Sequence, residues 1–349
     1  MPENSNSINF YAGIDLGAGQ LNSVTIPDAD IKNVKQFKPG AIVTFPSLIQ
    51  DGCDKFDQRQ KIKVEYDGGI YSIGIGNDII HEAKYITKQY ETILLTSIAM
   101  SAIPSNVIAS IAIGMPISHF RNEKLVGGVI QHLQSLRNKK IAITPNGNSE
   151  IAKTITIQKA NVLPENSVIV INPNAYQVGK YLFIDIGNRT IDFTLYKITE
   201  KTINKENRKV AERRGAYTLN KGILTLKKKI VEELEGDYNV KLSFDDYDDL
   251  FTAAMEGSEF YLNLIGNVPT TKYKKTIDNY VSNNIFSELT RLYSDEIAGS
   301  RLVFHGYGSV LLESILKSDI YRSVYMLGLH PDKQFANAKA NFIVATQCK

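Results

Sequence analysis

The sequence predicts an α/β protein of two domains, on three observations. Strand-like and helix-like periodicities alternate in both halves of the chain. Its 349 residues, 43% of them hydrophobic, suffice for two cores. One local pattern also occurs twice, 170 positions apart: Ile14-Asp15-Leu16-Gly17-Ala18-Gly19-Gln20 and Ile184-Asp185-Ile186-Gly187-Asn188-Arg189-Thr190. Each copy is an apolar strand ending in Asp, then one apolar residue, Gly, a small polar turn and a second strand. Such repeats reveal architecture.

In the first half, residues 8–16 read as a buried strand that breaks at the glycine turn and resumes over 21–26. A short strand over 41–45 stops at Pro46, and residues 61–66 and 70–75 flank the hairpin signal Asp67-Gly68-Gly69. Residues 92–103 are helical, 107–114 form a continuous apolar strand, and 120–136 carry helical spacing at Leu125, Val129, Leu133 and Leu136. Residues 151–162 and 168–171 complete this half. The second half opens with a strand over 181–187, turns at 188–190 and continues over 191–198. Residues 201–207 are polar and expected as an exposed connection. A strand near 209–213 precedes helices near 220–234 and 245–255, and a long helical pattern over 273–297 breaks near Asn283-Asn284. A short strand at 301–305 leads into a helix at 308–316, and the tail after Pro331 is helix or strand.

Composition narrows the function. The formal net charge is +3 with dispersed basic residues, and no DNA-reading motif emerges. The longest basic run, Lys227-Lys228-Lys229, lies in a helix-like segment and reads as a solvated face. Cys53 and Cys348 stand far apart in no metal-ligand spacing, which suits a reducing cytoplasm. The first residues carry no signal core, and no stretch approaches the roughly 20 apolar residues of a membrane span. A cytoplasmic protein without membrane contact is therefore expected. The histidines form no His-Asp-Ser set or His-Glu metal motif, and His305 reads as a core residue at a strand end.

Paired turns of this kind suit a triphosphate. A tight turn opened by Gly exposes successive N–H groups as a concave anion site. The Asp before it is repelled by phosphate but can hold Mg²⁺ through the waters that magnesium retains. Two such hairpins, with Asp15 and Asp185 opposite each other, predict a nucleotide cleft between two lobes. Its binding residues are Gly17, Ala18, Gly19 and Gln20 on one side, and Gly187, Asn188, Arg189 and Thr190 on the other. No Gly-Lys-Ser or Gly-Lys-Thr follows a glycine-rich run, which excludes a P-loop. Gly17-x-Gly19 lacks a third glycine and runs into a strand, against a dinucleotide site.

These residues resemble the superfamily of actin, the sugar kinases and the large heat-shock chaperones, and within it the bacterial ParM/StbA proteins that segregate plasmids. Residues 15–20 and 185–190 match the family's two phosphate loops, with Asp192 where the second often has a further acid. Phe45-Pro46-Ser47 resembles the turn that follows the family's third strand. Pro164-Glu165-Asn166-Ser167 resembles the ParM segment whose Glu reaches the attacking water, a role a carboxylate beside the γ-phosphate can perform. The same four residues are also good turn chemistry. Gly306-Tyr307-Gly308-Ser309 resembles the adenine-binding loop but replaces its usual Gly-Gly-Gly-Ala. The Tyr307 ring either stacks on the base or turns away, so ATP and GTP both stay open. Lys227, Lys228 and Glu232 are alternative ribose contacts or surface residues.

The resemblance implies a two-lobed actin-like fold, a duplicated ribonuclease H-like βββαβα core with the nucleotide cleft between the lobes. Domain I would span residues 8–179 with a small insertion around 50–90, domain II residues 180–330, and residues 331–349 would return to domain I. It implies an ATPase using ATP or GTP with Mg²⁺. Glu165, Asp15 and Asp185 would be catalytic, the two Asp residues holding the metal through water. The protein would polymerise with itself and move plasmid DNA through a ParR-like DNA-binding adaptor, touching centromere DNA only indirectly. The alternative is a small-molecule kinase on the same scaffold, although no hydroxyl-activating Asp follows the first lobe's strands.

Overall fold

Two β-sheets, each covered by helices, form two lobes in the computed structural model, which describes residues 8–17, 19–27, 42–53, 61–78, 82–101, 105–145, 148–203, 205–243, 246–263, 265–297, 299–318, 326–330 and 333–347. Ala18 and Cys348 lie outside the described residues. The first sheet contains β1 (Ile8–Leu16), β2 (Leu21–Pro27), β3 (Ile42–Phe45), β4 (Leu48–Asp51), β5 (Ile62–Tyr66), β6 (Gly69–Ile73), β7 (Asn77–Asp78), β8 (Asn106–Met115), β9 (Lys139–Pro145) and β10 (Ile151–Pro164). Their order is β3-β2-β1-β8-β10-β9-β5-β6-β4-β7. The second sheet, in the order β13-β12-β11-β16-β17, uses β11 (Gly179–Ile186), β12 (Ile191–Ile203), β13 (Glu206–Leu219), β16 (Ser300–His305) and β17 (Met326–Leu329). A separate hairpin pairs β14 (Glu259–Leu262) with β15 (Gly266–Pro269).

The two sheets are built alike. In the first, β1 pairs antiparallel with β2 and parallel with β8, and β8 runs parallel with β10. In the second, β11 pairs antiparallel with β12 and parallel with β16, and β16 runs parallel with β17. Side chains repeat the match. Asp15 faces Asn22 across the first hairpin, and Thr44 donates to Asn22 Oδ1 at 3.0 Å. Asp185 faces Asp192 across the second, and Thr218 donates to Asp192 Oδ1.

Alternation along the strands explains the layering, because successive side chains leave opposite faces. Phe10, Ala12, Ile14 and Leu16 enter one core, roofed by Tyr90, Ile93, Leu94 and Ile98 of the helix Lys88–Ser101 and by Val129 and Leu133 of the helix Glu123–Ser135. Asn122 caps the latter, accepting from Leu125 N at 3.1 Å. Tyr11, on the other face, packs with Val24, Ile26, Ala338 and Phe342, so the C-terminal helix Ala336–Gln347 lies on the first sheet. In the second lobe Leu182, Ile184 and Ile186 enter a core with the helices Ile223–Tyr238, Asp246–Glu256 and Lys274–Val281, while Tyr181 and Phe183 pack with Tyr196 and Ile169.

Several expectations are corrected. Residues 201–207 continue the strands of a long hairpin that turns at Lys205, with φ 66°, instead of forming an irregular connection. Its two faces are solvated, so its side chains read as a polar loop. Val168–Ile171 is a single helical turn. The break expected near Asn283-Asn284 is a π-helical turn, Ser282–Phe286, between Val281 and the helix Ser287–Ile297. Strands β4, β7, β9, β14, β15 and β17 were not foreseen, each being short or half-exposed.

Gly13 sets the approach of the C-terminal helix: a Cβ there would stand 2.0 Å from Phe342 N and 2.2 Å from Ala338 O. Both obstacles are backbone and cannot swing aside. Gly13→Ala is expected to cost about 3 kcal/mol or more by overpacking, measured as the shift of the urea unfolding midpoint.

Candidate functional site

The carboxyl ends of parallel strands are where an open α/β sheet offers a crevice. Here Asp15 stands one residue before the end of β1, β8 ends at Gly114 and Met115, and β10 leads into Glu165, whose N–H donates to Met115 O at 2.9 Å. A Cβ on Gly114 would stand 3.5 Å from Asp15 Oδ1 and 3.8 Å from Glu165 Cγ. The two carboxylates therefore flank the residue that has no side chain. In the second lobe, Asp185 stands one residue before the end of β11, beside His305 of β16. Gly306, at φ 84°, passes under Asp185, and a Cβ there would be 2.1 Å from its Oδ1. Only glycine suits both the left-handed backbone and the contact.

The two glycine hairpins close in the same way: Gly17 N donates to Gln20 O at 3.1 Å, and Gly187 N donates to Thr190 O at 2.9 Å. Both are braced from behind. Ser47 Oγ donates to Gly17 O at 2.7 Å and Ser47 N to Gly19 O at 3.3 Å, which gives the Pro46-Ser47 turn its role. On the second loop, Gly222, Ile223 and Leu224 donate their N–H groups to the carbonyls of Arg189, Gly187 and Asn188 at 2.8, 3.1 and 2.8 Å. In a planar trans peptide the C=O and the following N–H point oppositely. The N–H groups of Asn188, Arg189, Thr190 and Gln20 are thereby turned away from the braces, and all four residues line the cavity, as an anion site requires. The loop tips meet across the cleft, since a Cβ on Gly19 would stand 2.6 Å from Asn188 Nδ2.

A cavity of about 420 Å³ lies between the lobes, within the roughly 300–1,000 Å³ typical of small-molecule sites. It is lined by Asp15, Gly17, Gly19, Gln20, Glu165, Asp185, Gly187, Asn188, Arg189, Thr190, Gly306 and Tyr307. Gly308 and Ser309 do not line it. Gly308 is packed against the core, where a Cβ would be 2.3 Å from Ile186 Cγ2, and Ser309 Oγ donates back to Gly306 O at 2.7 Å. Of the three alternative ribose contacts, Lys228 lines the cavity and Glu232 is exposed. Lys227 pairs with Asp248 beside a second recess and holds its ammonium 5.6 Å from the Tyr307 ring centroid. Sequence reasoning missed Asn22, Lys84, His119, Gln334 and Asn337 in the lining. Asn22 alone had a signal, its position opposite Asp15.

Electrostatically the cavity is an acid cluster. Burial, then Asp185, pushes Asp15 up to about 7. Burial, then Asp192, Asp185 and Asp15, raises Glu165 well above its ordinary value. Asp192 is raised to about 7 by burial against the Thr218 hydrogen bond. Asp185 is raised to about 6 by burial, opposed by Asn337, whose Nδ2 donates to its Oδ2 at 2.7 Å. Behind Asp185, His305 is 1% exposed and kept neutral, burial lowering it to about 3. Asn166 donates through Nδ2 to Asp192 O at 3.2 Å and Thr194 Oγ1 at 3.1 Å, so its Oδ1 accepts from His305 Nε2.

Among the described residues, no three His, Cys, Asp or Glu groups converge for direct metal ligation. The donor set does suit a hydrated hard cation: carboxylates from both lobes share one cavity, and Gln20, which also lines it, has a buried Oε1 without a hydrogen-bond partner among the described residues. The arrangement can bind a polyanion through backbone amides, hold a hydrated divalent cation, and accept a proton at Glu165.

The acid cluster predicts a pH dependence. Carboxyls raised on folding stabilise the folded state below their unfolded value, near 3.8, and lose that contribution as pH rises through about 6 to 7. In chelator and without ligand, the protein is expected to melt at a lower temperature near pH 8 than near pH 5, at about constant salt, with a smaller difference in Asp185→Asn. Equal melting temperatures at the two pH values would contradict the assignment.

Residues 13–166 match a family model described as actin-like proteins, N-terminal domain. No curated protein matches the chain by sequence. Among solved structures, a non-polymerisable quadruple mutant of pCBH ParM is similar at a TM-score of 0.72 and 18% identity, over 98% of this chain and 100% of that one. The ParM of a 15-stranded filament from Clostridium botulinum gives 0.72 and 18% over 97% and 99%. Ta0583, an archaeal actin homologue in complex with ADP, gives 0.67 and 17% over 97% and 99%. Among the described residues, no helix is long and apolar enough to cross a membrane. Two lobes with one strand plan, joined around an acid-lined cleft, thus have the actin-like fold.

Proposed function

We propose that the protein is an actin-like ATPase that binds ATP or GTP with Mg²⁺ between its lobes, polymerises with itself in that state and disassembles after hydrolysis. The observation that carries this reading is the pair of like-built hairpins that line one cavity from opposite sides. The shared strand order supports reading each lobe as a ribonuclease H-like βββαβα unit, with domain I over residues 8–179, domain II over 180–330 and residues 331–349 belonging with domain I. The similar structures include a ParM filament and an actin homologue with ADP, which supports both polymerisation and a purine nucleotide.

In this reading the hairpin amides hold the phosphates, and Asp15 and Asp185 orient the hydrated cation. Bound magnesium would neutralise phosphate charge. Glu165, raised toward neutrality and placed at the end of β10, orients a water against the terminal phosphate and accepts its proton. Nucleotide draws the lobes together and sets the surface offered to the next subunit, and head-to-tail contacts that do not close give filaments. Plasmid segregation through a ParR-like adaptor rests on the sequence resemblance alone.

Electron microscopy and phosphate release with ATP and with GTP test the reading; filaments with either nucleotide are expected. Glu165→Ala is expected to slow hydrolysis by about 10²–10⁴-fold while retaining nucleotide binding, so that its filaments persist. Hydrolysis at the wild-type rate would remove Glu165 from the mechanism.

A further inference from the structure

We infer that Lys84 is the side chain that grips the terminal phosphate of a bound nucleoside triphosphate, and so lets the site tell triphosphate from diphosphate. The inference rests on the nucleotide reading above and adds a residue that no sequence motif marks.

Its placement is specific. Lys84 lies in the 3₁₀ turn Glu82–Ile86, just ahead of the helix Lys88–Ser101, and lines the cavity together with Asp15, Glu165, Pro116 and His119. It is 9% exposed, an unusual state for an ammonium unless anions surround it. The anions are present: its charge acts on both Asp15 and Glu165, holding each down against burial. Other described cations of the cavity wall differ. Arg189 and Lys228 belong to the second lobe, half-buried and exposed respectively, away from the wall where Asp15 and Glu165 flank Gly114.

The backbone beneath Lys84 is held firmly. Tyr85 is 1% exposed, hydrogen-bonds His119 Nδ1 through its hydroxyl at 3.1 Å, and packs edge-on against Tyr90 and His119 at centroid distances of 5.4 and 5.9 Å. Lys84 O accepts from Thr87 N at 3.0 Å and from Thr87 Oγ1 at 2.7 Å. The ammonium lies 5.1 Å from the Tyr85 ring centroid, and its flexible four-carbon stem on this fixed base lets it reach phosphate oxygens without moving the chain. It lies on the Glu165 wall, where the water-attacked phosphate must sit, so the terminal phosphate is the one it reaches.

In the step itself, the water oxygen bonds to the γ-phosphorus. The bond to the β,γ-bridging oxygen breaks, and its electron pair leaves on the diphosphate. The water's proton passes to Glu165. Lys84 keeps its protons and donates hydrogen bonds to a non-bridging γ-oxygen, stabilising charge that a diphosphate does not present.

The test measures magnesium-dependent binding of ATP and GTP β,γ-imido analogues and of the two diphosphates, with hydrolysis rates, on wild type, Lys84→Met and Lys84→Arg. Lys84→Met is expected to bind diphosphate within about threefold of wild type, to lose most of the triphosphate preference, and to hydrolyse about 10²–10³-fold more slowly. Lys84→Arg, which keeps the charge, is expected to recover the triphosphate preference and part of the rate. It decides the question should Lys84→Met not fold. A role confined to packing would lower diphosphate and triphosphate affinity together, and that result overturns the inference, as does hydrolysis by Lys84→Met at the wild-type rate. If wild type binds no nucleotide, the nucleotide reading itself fails and this one with it. If wild type binds and hydrolyses but neither variant changes, only Lys84 is reassigned.

Discussion

The side-chain amide of Asn337 joins parts of the protein that no strand connects. Its Nδ2 donates to Asp185 at 2.7 Å, it hydrogen-bonds Asp15, and its Oδ1 accepts from Asn166 N at 3.1 Å. One neutral group thereby ties the C-terminal helix to an acid of each lobe and to the turn after β10. An amide suits this position because it offers donors to two carboxylates and an acceptor to an N–H without adding charge. Asn166, at φ 65°, is held further by Tyr196, whose hydroxyl donates to its carbonyl at 2.9 Å. Glu165 is the preceding residue, so the same network that fixes the two Asp residues also fixes the carboxylate proposed as base.

Around that junction the protein tolerates an expensive charge arrangement. Asp15, Glu165, Asp185 and Asp192 all lie in one poorly solvated space, and each is pushed toward its neutral form. Burial is the largest cause in every case, with mutual repulsion next for Asp15 and Glu165. Such a cluster is unfavourable for stability by itself and favourable for holding a cation, since the cation removes the repulsion that the fold leaves unrelieved. Lys84 relieves it in part. The energetic strain of the site and its capacity for chemistry have the same origin.

The lobes share a strand plan but have diverged where their strands end. Asn22 and Asp192 occupy matching places beside Asp15 and Asp185, each bonded to a threonine of the next strand. Across the parallel pair, Gly114 neighbours Asp15, whereas His305 neighbours Asp185. The missing side chain in the first lobe admits Glu165 beside Asp15. In the second lobe the neutral imidazole fills that space and braces Asn166. Two similar scaffolds therefore give one wall suited to proton transfer and one suited to positioning.

Much of the architecture was legible along the chain. The paired Asp-x-Gly hairpins, the central strands and the principal helices were readable because apolar periodicity and glycine turns are local properties, set by backbone sterics and side-chain spacing. Asp15, Asp185 and the two glycine turns could be singled out for that reason, as could Ser47 as part of a turn. Lys84, His119 and Asn337 carry no local mark, since a lysine before a helix or an asparagine within one is ordinary surface chemistry until the fold buries it. Tyr307 could not be oriented because its contact, Lys227, comes from another helix, and Gly308 was misplaced into the cavity because a loop's spacing does not say which of its residues face inward. Sequence alone determined the strands and turns that make the two glycine hairpins. Tertiary structure decided which charges meet between them, because burial and electrostatic coupling depend on distances that only the packed lobes define.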